Sequence, residues 1–192
     1  MRIVCLGDSL TWGGYGGNYV EVLARLRPEH TFINAGVGGD TVLNLLRRLE
    51  GDVLRHSPDA VFVMVGGNDA ISYIYPATRR YYLQAKQIAE GYVTPDQFEQ
   101  NYRDLLTRLQ LAHVLPWVGL QPSEYNRTLV DVLQQFNDRA AIAARAHNIP
   151  TLDLMQPLTP STLTERPPFT MDDINLIGRR VKAHWDDYET AR

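Results

Sequence analysis

The stretch Ile3-Val4-Cys5-Leu6-Gly7-Asp8-Ser9-Leu10-Thr11-Trp12-Gly13 constrains what the rest of the chain can do. Its first half is a short apolar run of the kind shown by a parallel strand buried on both faces. The run stops at Gly7, and a serine follows two residues later. In an open α/β sheet, ligands bind in the crevice just past the carboxyl ends of the strands. A serine on this turn is therefore placed to meet a substrate. A capping serine in an ordinary β–α turn is the plainer alternative.

Strand and helix patterns alternate beyond this stretch, which predicts a parallel sheet with helices on both faces. Strands are expected over residues 2–6, 31–34, 60–65, 113–120 and 150–154, the third being a continuous apolar run. Tyr19 opens a helix over 19–26 with Val20, Val22, Leu23 and Leu26 as its apolar stripe. Asp40 or Thr41 caps a second helix carrying Val42, Leu45, Leu46, Leu49 and Val53. Thr94-Pro95 starts a third, with proline at the first helical position, running to about Leu111. A long helix is expected over 129–146, and a final one from Asp172 or Asn175 to near Tyr188. Residues 155–171 carry Pro157, Pro160, Pro167 and Pro168, which argue for a loop without regular elements. The segment 70–92, with Tyr73, Tyr75, Tyr81, Tyr82 and Tyr92, has two readings. One is a lid or acyl-pocket wall; the other is a partly exposed helix with its tyrosines packed on the body.

The chain of 192 residues suits one domain spanning 1–192 with a sizeable core, and neither a repeat nor a low-complexity tract is visible. Its 19 basic and 22 acidic residues leave a net charge of −3, without the basic run that nucleic acid or an anionic membrane surface selects. Cys5 is the single cysteine, so an intrachain disulfide is ruled out; within an apolar strand it reads as a small buried hydrophobe. A signal peptide is not evident, and no apolar run is long enough to span a membrane. A cytoplasmic location is the corresponding expectation.

Three further segments give the opening stretch a specific meaning. Gly7-Asp8-Ser9-Leu10, then Asn34-Ala35-Gly36-Val37-Gly38-Gly39-Asp40-Thr41, then Gly66-Gly67-Asn68-Asp69 each follow an expected strand, in that order. Together they resemble the sequence blocks of the SGNH (GDSL-type) hydrolases, a family of serine esterases and lipases. The resemblance covers nearly the whole chain. It implies a three-layer α/β/α sandwich around a five-stranded parallel sheet, flavodoxin-like in architecture, in agreement with the alternation of elements.

The resemblance also implies roles. Ser9 is the nucleophile that attacks an acyl carbonyl. The oxyanion is then held by the N–H of Ser9, the N–H of the second-block glycine, taken as Gly36, and the side-chain amide of Asn68. Ester hydrolysis by serine needs these donors together with a base to take the hydroxyl proton. Glycine lets backbone approach a reacting centre, and a neutral amide stabilises developing charge without neutralising a base. Losing one such donor typically costs roughly 3–4 kcal/mol of transition-state stabilisation. Asp8 and Asp69 are expected to hold the loops by Asx-type hydrogen bonds rather than to do chemistry.

The chain departs from the pattern at the last block. The family carries an aspartate three residues before its catalytic histidine; the matching segment here is Asp172-Asp173-Ile174-Asn175. Asp172 fits, but Asn175 stands at the histidine position, and a neutral amide cannot take a proton from Ser9. In a comparable serine protease, removing the histidine costs on the order of a millionfold in turnover. His30, His56, His113 and His147 are expected near the starts of strands two to five, at the wrong end of the sheet. His184 follows Asn175 by nine residues, which is about 13 Å of helix. Asp172 or Asp173 would be a much weaker base. Asn175 is open to three explanations: an engineered substitution, a natural loss, or a base supplied from elsewhere.

Two functions follow as expectations. The first is an esterase acting on small acyl or acetyl esters and impaired at its base, with a small-molecule ester as partner and with neither metal nor organic cofactor. The second is a non-catalytic protein that uses the same fold to bind esters or carbohydrates. A flavodoxin-like electron carrier fits less well, given the near-neutral charge and the Ser/Gly/Asn blocks.

Overall fold

A computed structural model describes residues 1–14, 17–123 and 126–165. Five parallel strands form one sheet: β1 (Arg2–Gly7), β2 (Thr31–Gly36), β3 (Ala60–Met64), β4 (Leu115–Leu120) and β5 (Thr151–Asp153). Their order is β2-β1-β3-β4-β5. The chain leaves β1 for one side of the sheet and returns to β3 on the other, so the strand order reverses between β1 and β3. That reversal opens a crevice at the carboxyl ends of the two strands. The register puts Gly7 level with both Gly36 and Met64. The segments after β1, β2 and β3 therefore leave the sheet at one rim.

The helices are α1 (Ser9–Trp12), α2 (Tyr19–Leu26), α3 (Val42–Asp52), α4 (Gly67–Ile74), α5 (Arg79–Gln84), α6 (Pro95–Leu111), α7 (Arg127–Ala146) and α8 (Met155–Leu158). Capping explains several starts. The Asn18 side chain accepts from the N–H groups of Val20 and Glu21 at the head of α2. Thr94 and Gln97 bond reciprocally at the head of α6, with Pro95 at its first position. Thr41, not Asp40, caps α3, and both its N–H and its hydroxyl donate to Oδ1 of Asn44.

The α/β architecture and all five strands agree with expectation; the differences are at boundaries. β2 runs two residues further than its apolar pattern suggested, to Gly36. β4 starts at Leu115, because His113 takes a left-handed φ of 58° and turns the chain into the strand. α7 starts at Arg127, where Asn126 accepts from the N–H of Leu129 at 3.2 Å. Residues 155–158, expected as loop, form the single turn α8 despite Pro157. The proline lies in the first turn, where its missing N–H is not needed. Oδ1 of Asp153 accepts from the N–H groups of Met155 and Gln156. The final helix expected over 172–188 lies outside the described residues.

One sheet face presents Val4, Leu6, Val61, Val63 and Val118 to a core completed by Leu45, Leu105, Phe136 and their neighbours on α3, α6 and α7. The opposite face carries Ile3, Cys5, Phe62 and Trp117, and Tyr19 of α2 meets Phe62 edge-on at 6.1 Å between ring centroids. Cys5 is fully buried, as expected, and burial pushes its thiol up to about 11.

Candidate active site

Ser9 opens α1 directly after β1, with Asp8 as the capping residue. Oδ1 of Asp8 accepts from the N–H of Leu10 at 3.0 Å, the Asx-type bond expected of it. Among the described residues neither the N–H nor the hydroxyl of Ser9 has a hydrogen-bond partner. Ser9 is partly exposed at the rim. An apolar groove opens beside Leu10 and Pro122 and continues over Met64 and Phe62.

Asn68 is the second residue of α4, which begins where β3 ends at the β1/β3 crevice. Its Nδ2 donates to Oδ2 of Asp8 at 3.3 Å, and its Oδ1 accepts from the hydroxyl of Tyr82 at 2.8 Å. The first and third sequence blocks, 60 residues apart, are joined by that Asp8–Asn68 bond. Nδ2 carries two hydrogens and Asp8 takes one. The other is available to a ligand at the rim.

The second block meets the others differently from expectation. The N–H of Gly36 is used: it donates to Oδ1 of Asn34 at 2.9 Å. Gly36 is instead a packing glycine, since a Cβ there would run into the backbone nitrogen of Trp12. Asn34 closes the same contact by donating to the carbonyl of Thr11 at 2.8 Å. The loop past Gly36 is what lies beside Ser9. A Cβ on Gly38 would be 3.9 Å from Cβ of Ser9, and the N–H groups of Gly38 and Gly39 have no partner among the described residues.

That loop is held by a buried ionic cluster. Asp40 pairs with Arg48 at 2.7 Å and with Lys86 at 2.9 Å. Arg48 also donates to the carbonyls of Gly7 and Ala35, both at 2.8 Å, and so clamps the ends of β1 and β2 together. Lys86 donates to the carbonyl of Gly38. The only trace of this cluster in the sequence is a cation one position from Leu49 in the apolar stripe of α3.

Gln121, just past β4, is buried and structural. Its Nε2 donates to Oδ2 of Asp8 at 2.7 Å, and its Oε1 accepts from the N–H of Gly67 at 3.0 Å. Its backbone exchanges bonds with the side chain of Asn137 at 2.9 and 3.0 Å. Asp69, fully buried, accepts from the N–H of Val42 and fixes the start of α3. Burial raises its carboxyl well above the usual carboxylate range and pushes that of Asp8 up to about 6.

The tyrosine-rich segment forms α4, α5 and two short 3₁₀ turns packed on the body. Tyr75 and Tyr82 are buried, and Tyr73 packs edge-on against Phe136 at 6.1 Å. The packed-tyrosine reading holds, with one addition: Tyr82 reaches the site. His30, His56, His113 and His147 precede β2, β3, β4 and β5, at the rim opposite Ser9. Asp172, Asn175 and His184 lie outside the described residues. Among the described residues no cluster of His, Cys, Asp and Glu could hold a metal ion. No described helix is long and apolar enough to cross a membrane.

The model of the GDSL-like lipase/acylhydrolase family matches residues 5–178. An acetylxylan esterase of Geobacillus stearothermophilus is 29% identical over 174 residues, covering 71% of this chain and 78% of that protein. Among solved structures, a lipase/acylhydrolase from Enterococcus faecalis superposes with a TM-score of 0.66 at 23% identity, covering 95% of this chain and 94% of the other. A catalytic mutant of an acetylxylan esterase from Geobacillus stearothermophilus, with its histidine changed to alanine, gives a TM-score of 0.66 at 21% identity, over 100% of this chain and 96% of the other. At such identities the structural likenesses establish a shared fold.

Proposed function

Since the chain belongs to the GDSL-like lipase/acylhydrolase family, whose general activity is ester and acyl hydrolysis, we propose that its site is built to cleave small acyl or acetyl esters and is impaired at the base. The observation that carries this reading is the 3.3 Å bond from Asn68 to Asp8, which brings an amide donor next to the turn that presents Ser9. In this reading the Ser9 hydroxyl attacks the carbonyl carbon and the carbonyl oxygen gains negative charge. The N–H of Ser9 and the free hydrogen of Asn68 Nδ2 receive it. The second-block donor is an N–H of the Gly38–Gly39 pair, because that of Gly36 is engaged by Asn34. Collapse of the tetrahedral adduct expels the alcohol and leaves an acyl-serine, which water then hydrolyses.

Both steps need a proton acceptor, and Asn175 supplies none. The acetylxylan esterase relative has catalytic mutants in which serine or histidine is changed to alanine; this chain carries the serine and has asparagine where the family pattern has histidine. Its acetyl-ester substrate supports a small acyl group here. Asn175 also favours a second reading, a receptor for acylated carbohydrates that binds without turnover.

One experiment separates the two. Asn175→His is assayed on a chromogenic acetate ester beside the unaltered chain. The esterase reading expects a gain of roughly a hundredfold or more, abolished by Ser9→Ala. The absence of a gain, with Ser9 inert to an organophosphonate, overturns it in favour of the receptor.

A further inference from the structure

Tyr82 lies on α5 with 1% of its surface exposed. Its ring meets that of Tyr81 edge-on, with centroids 5.2 Å apart. Among the described residues its hydroxyl makes one hydrogen bond, the 2.8 Å donation to Oδ1 of Asn68. A carboxamide has two ends of opposite character, an acceptor oxygen and a donor nitrogen. Asn68 has a neighbour at each: the Tyr82 hydroxyl at Oδ1, and the Asp8 carboxylate oxygen at Nδ2. A carboxylate only accepts, so it demands the nitrogen; Tyr82 fills the oxygen end. Both neighbours select the same rotamer of the amide.

We infer that Tyr82 is a positioning residue for the Asn68 carboxamide, its hydroxyl holding Oδ1 so that Nδ2 stays on the Ser9 side as the side-chain donor to the oxyanion. This inference rests on the ester-hydrolase reading of the site. α5 is well placed for the task, because the chain following it is pinned. The carbonyl of Lys86 accepts from Asn44 at 2.9 Å and from Arg47 at 3.2 Å, and Lys86 itself pairs with Asp40. Burial keeps the phenol of Tyr82 far above its ordinary titration range, so it remains a donor. Tyr102 provides an internal contrast. It is equally buried, yet its hydroxyl has no hydrogen-bond partner among the described residues. Removing a buried hydroxyl in general and removing the one on Asn68 can therefore be told apart.

The test compares Tyr82→Phe with Tyr102→Phe. The first readout does not depend on activity: the side-chain amide proton pair of Asn68 in a ¹⁵N-resolved NMR spectrum. Tyr82→Phe is expected to shift this pair and speed its exchange with solvent, while Tyr102→Phe leaves it in place. An Asn68 pair unmoved by Tyr82→Phe overturns the inference, and so does one moved equally by both variants. The second readout uses acetate-ester turnover in the Asn175→His background. There Tyr82→Phe is expected to lower kcat about tenfold with KM within a factor of about two, and to add nothing once Asn68→Ala is present. Equal losses with and without Asn68 overturn it. Should no variant hydrolyse the ester, the functional reading fails while the amide resonances still decide the role of Tyr82. If Tyr82→Phe does not fold, Asn68→Ala is read instead by exchange of the Tyr82 hydroxyl proton. Faster exchange supports the contact, and unchanged exchange overturns it.

Discussion

The two rims of the sheet are built from the same strands and treat polar groups in opposite ways. At the Ser9 rim, Asp8, Asp40, Asp69 and Gln121 are all at most 3% exposed and bonded to one another's loops. At the other rim, the turns before the strands use exposed pairs. Examples are Arg27 with Glu29 at 2.6 Å and the side chain of His147 with Gln110 at 3.0 Å. Exposed pairs contribute little, since water competes for both partners. Buried carboxylates are costly unless bonded, and three in one crevice are not required for folding. The Ser9 rim therefore carries a burden that makes sense only if the loops must be held in one arrangement.

The largest expected effect tests that contrast directly. Arg48→Ala removes a partner of buried Asp40 and the donor to the carbonyls of Gly7 and Ala35. Breaking such a cluster should cost about 3–5 kcal/mol in urea denaturation. A loss no greater than that of Arg27→Ala would mean that the rims are equivalent.

Next in size is a pH effect. The Asp8 carboxyl is pushed from 3.8 to about 6 by burial. Between these values the folded chain binds more protons than the unfolded one, so stability falls as pH rises from about 4 to about 6. The full effect is on the order of 3 kcal/mol, and buried Asp69 acts in the same direction. The stability-versus-pH curve of Asp8→Asn should lack the Asp8 share of this decline. Parallel curves for the two chains would show that Asp8 titrates normally in the fold. The smallest effect belongs to the opposite rim. Arg27→Ala, at a side chain 60% exposed, should leave the urea midpoint within experimental error, and a clear shift would show that this rim too depends on its ion pairs.

Much of the fold was readable along the chain. Short apolar runs bounded by turn residues located every strand, and period-3.6 stripes located the long helices, because both follow from local backbone geometry. α2 and α6 begin where the sequence put them, α2 from its apolar stripe and α6 from Thr94-Pro95, and the structure adds Asn18 as the cap of α2. Boundaries failed where a local detail intervened, as with the left-handed His113 before β4 and the Asp153-capped turn that tolerates Pro157. The site was legible as three blocks, and Ser9 and Asn68 lie just past the ends of β1 and β3.

Gly36 shows the limit. The sequence marks a glycine after β2, but which N–H of 36–39 is free depends on the Asn34 side chain turning back on its own strand. Tyr82, Arg48 and Gln121 join the site from 14 residues beyond Asn68, 41 beyond Gly7 and 113 beyond Asp8. Nothing local distinguishes the tyrosine that bonds Asn68 from Tyr102, which bonds nothing described. Strands, caps and a serine past β1 follow from residues a few positions apart, where the backbone transmits preference directly. The orientation of one amide and the partner of one guanidinium follow from side chains that meet only after the sheet has formed, and the assembled tertiary structure alone decided them.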